Sequence, residues 1–190
     1  MQRATLALAA AALVVGLCAT TAHAQATPAT AASPTGVKAE IIRSIEDAEG
    51  KLIKLAEKFP QEKYGWHPEG ARTTSEVFMH IAAGNYGYGG FMGAARVEGT
   101  TSAVLSKITD KAKVIEALKA SFVYVKDAVN NSDPEKAVKL RGRDSTVREA
   151  MLLAATHCHE HMGQLIAYAR VNGIVPPWTE EAQARQPAKN

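Results

Sequence analysis

Between Val37 and Phe59 the apolar residues Ile41, Ile45, Ala48, Leu52, Leu55 and Phe59 recur at alternating spacings of four and three, with charged residues between them. Helical periodicity brings such positions onto one stripe, so the segment predicts an amphipathic helix that must bury one face. Pro60 follows the last apolar position and stops it.

Three more segments read the same way. Thr73 with Glu76 three residues later forms a capping box in front of an apolar run, and the helix it opens carries Val77, His80, Ile81 and Gly84 on one stripe. Gly84, Gly87, Gly89 and Gly90 weaken its second half, which implies either very close helix packing or an irregular end. Asp110 caps a third helix running to Asn130, with Val114, Leu118, Ser121, Val125 and Val129 inward. Glu135 to Asp144 has no clear period and is expected to be an irregular or weakly extended crossover. A second capping box, Thr146 and Glu149, opens the fourth helix, which Gly173 and Pro176-Pro177 end near Asn172. Without a convincing strand pattern, the four segments predict an all-α fold, a four-helix bundle.

The N-terminus reads as a secretory signal peptide. Met1 to Arg3 is positively charged, Ala4 to Ala19 is an apolar run, and Ala22-His23-Ala24 is a small-x-small cleavage site. The run is too short for a spanning helix, so the expectation is cleavage after Ala24, a periplasmic or secreted product, and no stable membrane insertion. Leu17 before Cys18 argues against lipidation, since the residue preceding a lipidated cysteine is normally small. The organisation expected is signal peptide 1–24, flexible linker 25–36, helical domain 37–178 and a C-terminal tail 179–190.

Cleavage would remove Cys18 and leave Cys158 without an intramolecular disulfide partner, so stability must come from the core, with Cys158 a buried part of it. The formal charge of +3 is spread along the chain. Nucleic-acid binders concentrate basic residues on one face, so no nucleic-acid partner is expected. A homodimer of bundles is compatible with the pattern.

The histidines carry the chemistry. His157 and His161 lie about 40° apart on a helical wheel, whereas His159 lies about 160° from each. The stripe of Val147, Met151, Ala154, Cys158, Leu165 and Tyr168 places His161 inside the buried face and His157 at its edge. Two imidazoles facing a bundle interior are costly unless their nitrogens find partners, and one metal ion satisfies both. His80, on the apolar stripe of the second helix, is the candidate third ligand. The bland alternative, core histidines satisfied by a carbonyl or a tyrosine hydroxyl, stays open at this point. Three histidines leave open coordination positions, the arrangement of a catalytic site. Imidazole suits a divalent ion, zinc or nickel foremost. Gln164 and Tyr168 continue the His157–His161 column, either orienting water or substrate or packing; Glu160 reads as a solvated outer residue and His67 as a surface residue beside Pro68.

These residues carry a resemblance. FPQEKYGWHP (Phe59 to Pro68), Arg72-Thr73 followed by His80, and HCHEHMGQLIAYARVNGIVPPW (His157 to Trp178) resemble the DinB and YfiT-like superfamily over about Val37 to Trp178. That resemblance implies a four-helix bundle with a metal held by one histidine of the second helix and a His-x-x-x-His pair of the fourth, falling here on His80, His157 and His161. It also implies thiol-dependent transferase or isomerase activity, or metal-dependent hydrolysis of a small substrate. An oxidising compartment disfavours small-thiol chemistry and points to hydrolysis. A non-catalytic metal-binding or sensing bundle is the alternative, and no general acid or base is assignable from sequence.

Overall fold

The computed structural model describes residues 36–185. The expected signal peptide, and all of the expected linker except Gly36, lie outside the described residues. The elements are α1 (Val37–Lys58), α2 (Thr74–Phe91), α3 (Ser102–Leu105), α4 (Lys111–Asn131), β1 (Ala137–Leu140), β2 (Arg143–Thr146), α5 (Val147–Val171) and α6 (Pro177–Ala184). The four long helices are those the periodicity predicts. α1 and α2 each pack against both α4 and α5, so α1 lies diagonally across the bundle from α2, and α4 from α5. No helix among the described residues is long and apolar enough to cross a membrane.

The predicted stripes form the core. Ile45, Ala48, Leu52, Leu55 and Phe59 of the first segment are fully buried, as are Val114, Leu118, Ser121, Val125 and Val129 of α4. Burying a side chain such as Leu or Phe contributes about 1.5–3 kcal/mol, and these contacts hold together helices whose isolated stability is marginal.

Capping fixes where the helices begin and end. Thr73 Oγ1 accepts from the Glu76 backbone N–H, and Glu76 accepts from the Thr73 N–H, which completes the predicted box. The preceding loop is tied to the same turn: Thr74 N–H donates to Trp66 O and Ser75 N–H to Tyr64 O, each at 2.9 Å. Tyr64 is itself buried, stacked on Phe78 and donating to Ala56 O at 2.8 Å. Asp110 caps α4 through the Lys113 N–H. At the end of α5, Gly173 takes φ 72°, with Ile174 N–H bonded to Ala169 O and Gly173 N–H to Arg170 O. This is the Schellman arrangement, which a left-handed glycine permits without a Cβ clash.

The segment Glu135 to Asp144, expected to be irregular or weakly extended, takes the extended form: residues 137–146 make a hairpin with Leu140 paired to Arg143 and Ala137 to Thr146. Both turn residues, Arg141 (φ 51°) and Gly142 (φ 86°), have positive φ, as the tight I′ turn requires. The capping box at Thr146 does not form. Glu149 instead accepts from Ser145 Oγ and the Arg143 guanidinium, while carbonyls of Lys136 and Pro134 accept from the Val147 and Arg148 N–H groups. Crossover backbone thus satisfies the first two orphan N–H donors of α5. Finally, the tail expected from residue 179 is helical to Ala184, because Pro177 sits at the first turn, where proline starts a helix as readily as it ends one. Lys54–Glu181 and Lys58–Glu180 ion pairs, each 2.9 Å, tie α6 to α1.

Candidate functional site

α2 and α5 are neighbours in the bundle, and their facing stripes carry the three histidines singled out above. His80 comes from α2 and His157 and His161 from α5; the nitrogens that could bind a common ion all lie within 4.8 Å of one another. Ring centroids are 4.9 Å apart for His80–His157 and 4.6 Å for both His80–His161 and His157–His161. Nε2 of His80 and Nε2 of His157 approach to 3.2 Å. Two ligands of a tetrahedral ion with metal–nitrogen bonds of about 2.0–2.1 Å sit about 3.3–3.4 Å apart, so this pair is already spaced to share one.

α5 can bring His157 this close because α2 presents Gly84 opposite it. A Cβ at Gly84 would lie 2.3 Å from Cε1 and 2.6 Å from Nδ1 of His157. Gly89 plays the same part against Tyr124, where a Cβ would meet Cε1 at 2.3 Å. Of the two explanations for the glycines of α2, close packing therefore holds at these positions, and the helix continues unbroken to Phe91.

Burial keeps His80 and His157 neutral. Desolvation, aided by His161, His80, Arg141 and Arg72, pushes His157 down to about 3. Desolvation also lowers His80, with Arg72 and His161 adding to it and Glu160 opposing. A neutral imidazole offers the lone pair that a metal ion needs. Gln164 Oε1 lies 3.0 Å from His161 Nδ1, so Nδ1 carries the proton and Nε2 is left as the ligand atom. Gln164 Nε2 in turn donates to Tyr168 Oη at 2.8 Å, and that hydroxyl donates to Arg72 O at 3.1 Å. Gln164 and Tyr168 thus orient His161 rather than merely pack. His157 Nδ1 is buried without a hydrogen-bond partner among the described residues. Burying that ring is costly, and a cation on its other nitrogen would offset the cost. The donor set therefore fits a divalent ion.

The other candidates fall where the helical wheel puts them. His159 points away, its Nδ1 donating to Ala155 O at 2.9 Å and its Nε2 3.9 Å from Asp47. His67 and Glu160 are exposed. Cys158 is fully buried, donates to Asn85 Oδ1 at 3.4 Å, and is pushed up to about 12 by burial, which leaves an unreactive thiol. Asn85 also donates to Ser121 Oγ at 3.1 Å, so a buried polar thread joins α2, α4 and α5 beside the histidines.

A cleft of about 230 Å³ opens onto His80 and His157, walled by Gly84, Gly87, Tyr88, Phe91, Ser102 and Arg141. Tyr88 and Arg141 line this cleft beside the histidines, and sequence reasoning missed both. Tyr88 lies one turn beyond Gly84 on the stripe already traced through α2, a signal that could have found it, whereas Arg141 sits in a segment with no periodicity to read. The Tyr88 ring packs against His157 at 5.6 Å, and its hydroxyl accepts from Arg141 Nη2 at 2.8 Å.

Comparison with known proteins agrees with this architecture. A DinB-like protein from Bacillus cereus, known from its crystal structure, superposes with a TM-score of 0.64 at 15% identity, covering 72% of this chain and 93% of that one. At that identity the likeness establishes the fold alone. No curated protein matches the sequence. The family model for the DinB family matches residues 30–189, nearly the whole chain and all three histidines with it, and the chain belongs to that family.

Proposed function

We propose that this protein is an exported, divalent-metal-binding DinB protein that hydrolyses a small substrate at the cleft above His80, His157 and His161. The observation that carries the reading is the meeting of three imidazoles from two helices, their nitrogens within 4.8 Å, two of them, His80 and His157, at the wall of an open cleft. Zinc or nickel suits the all-nitrogen donor set. When bound, such an ion acts as a Lewis acid that polarises a substrate carbonyl and acidifies water. The protein holds His80 and His157 neutral by burial and fixes the tautomer of His161 through Gln164 and Tyr168. Export rests on the N-terminal pattern of a charged start, an apolar run and a cleavage site.

A second reading, a metal-binding bundle without turnover, is favoured by one feature: no carboxylate lines the cleft among the described residues, so no general acid or base of that kind stands ready. Elemental analysis of untagged native protein beside a His161→Ala variant tests the ligand assignment, and a screen of esters, amides and lactones with and without chelator separates the two readings. Equimolar metal lost in the variant, with chelator-sensitive turnover, supports hydrolysis. Equimolar metal with no turnover supports the second reading, and full metal content in the variant overturns the ligand set.

A further inference from the structure

Arg141 occupies a position where its residue type is unusual. The first central residue of the hairpin turn has φ 51°, a left-handed conformation that Asn, Asp or Gly adopts readily and that is strained for other residues. Nothing in the turn itself calls for arginine. Its side chain reaches back from the hairpin to α2, with Nη2 bonded to the Tyr88 hydroxyl and Cζ 5.8 Å from the Tyr88 ring centroid, and it forms part of the wall of the histidine cleft.

The charge pattern sets Arg141 apart from its neighbours. Lys139 pairs with Asp144 and Arg143 with Glu149, so the other cations of the two strands each have a carboxylate. Arg141 bonds a neutral phenol, and among the described residues lining the cleft there is no Asp or Glu to neutralise it. A guanidinium carries five N–H donors, and the bond to Tyr88 engages one nitrogen and anchors the group. The rest stand available to a planar or tetrahedral oxyanion, the partner that a guanidinium fork matches best.

We propose that Arg141, held in place by Tyr88, is the anion-recognition residue of this cleft, and that the ligand it takes is a small molecule bearing a carboxylate or phosphate. The inference rests on the reading of the cleft as a substrate site and deepens it: the oxyanion lies on the guanidinium while the remainder of the ligand faces His80 and His157. Arg141 is a binding and specificity residue in this scheme, and it bonds none of the three histidines.

Calorimetric titration of the native protein, of R141Q and of R141K with benzoate, phenyl phosphate and the uncharged benzyl alcohol tests it, with metal content measured in each preparation. Native protein is expected to bind one or both anions in preference to the alcohol, and benzoate against phenyl phosphate tells carboxylate from phosphate. R141Q is expected to weaken anion binding at least about tenfold, the loss of charge-assisted hydrogen bonds, with metal content unchanged. R141K should fall between, since it keeps the charge and loses the fork. Anion affinity equal in R141Q and native protein, or alcohol bound as well as the anions, would overturn the proposal. Arg141-dependent anion binding by protein that holds no metal would sustain it while removing the metal reading, so the two fail separately.

Discussion

Gly84→Ala isolates the relation between helix packing and the histidine cluster. The new Cβ would stand 2.3 Å from Cε1 and 2.6 Å from Nδ1 of His157, where ordinary contact begins near 3.4 Å. The imidazole must therefore retreat by roughly 1 Å, several times the ~0.2 Å tolerance of a metal–ligand bond. The obstacle is a side-chain ring that can rotate rather than backbone, so the fold has a way to accommodate the methyl group. Overpacking costs about 1–3 kcal/mol, and replacing a helical glycine by alanine returns about 1 kcal/mol, which leaves a net destabilisation of about 0–2 kcal/mol. The ligand position suffers far more. Metal affinity is expected to fall by at least about tenfold, read by competition against a chromophoric chelator, while urea unfolding remains a single transition. Gly87→Ala is the internal control: no atom comes within 4 Å of its Cβ, so it should gain up to about 1 kcal/mol from helix propensity and keep its metal affinity. Native metal affinity in Gly84→Ala, or an equal loss in both variants, would refute the packing argument.

Two further outcomes follow from the same cluster. Gln164→Leu keeps volume but removes the acceptor for His161 Nδ1 and the donor to Tyr168, so competition titration should show metal affinity about tenfold weaker, with the thermal midpoint of chelator-treated protein little changed. The pH dependence has a definite sign: because the folded state holds His80 and His157 below their ordinary value near 6.5, the unfolded chain takes up protons that the folded chain refuses. Stability is therefore complete above about pH 6.5 and declines as pH falls toward about 3, the folded value of His157. Urea midpoints measured across that range should fall less steeply for His157→Phe than for the native chain, and parallel slopes would count against the argument.

The long helices and their faces were legible because the determinant is local. Whether Leu52 or Lys51 faces inward depends on position within a 3.6-residue turn, and whether a helix starts at Thr73 or Asp110 depends on a side chain within three residues of the donors it satisfies. The same locality put His157 and His161 on one face and turned His159 away. Where a competing partner came from farther along the chain, the local reading failed. Thr146 and Glu149 satisfy the pattern of a capping box, but Arg143 and Ser145 take the Glu149 carboxylate, and the carbonyls of Lys136 and Pro134 take the first N–H donors of α5, those of Val147 and Arg148.

Sequence by itself thus determined four amphipathic helices, most of their caps, and which histidines share a face of α5. Tertiary structure decided that His80 meets that pair, since this depends on α2 and α5 being neighbours while α1 and α2 are not. It decided the meaning of Gly84, whose missing Cβ matters only because His157 arrives opposite it, and it created the hairpin that carries Arg141 to Tyr88. The physical reason is common to all three. A helical face is written in residues a few positions apart, whereas a close approach between segments some 50 to 80 residues apart is settled only when the whole bundle has packed.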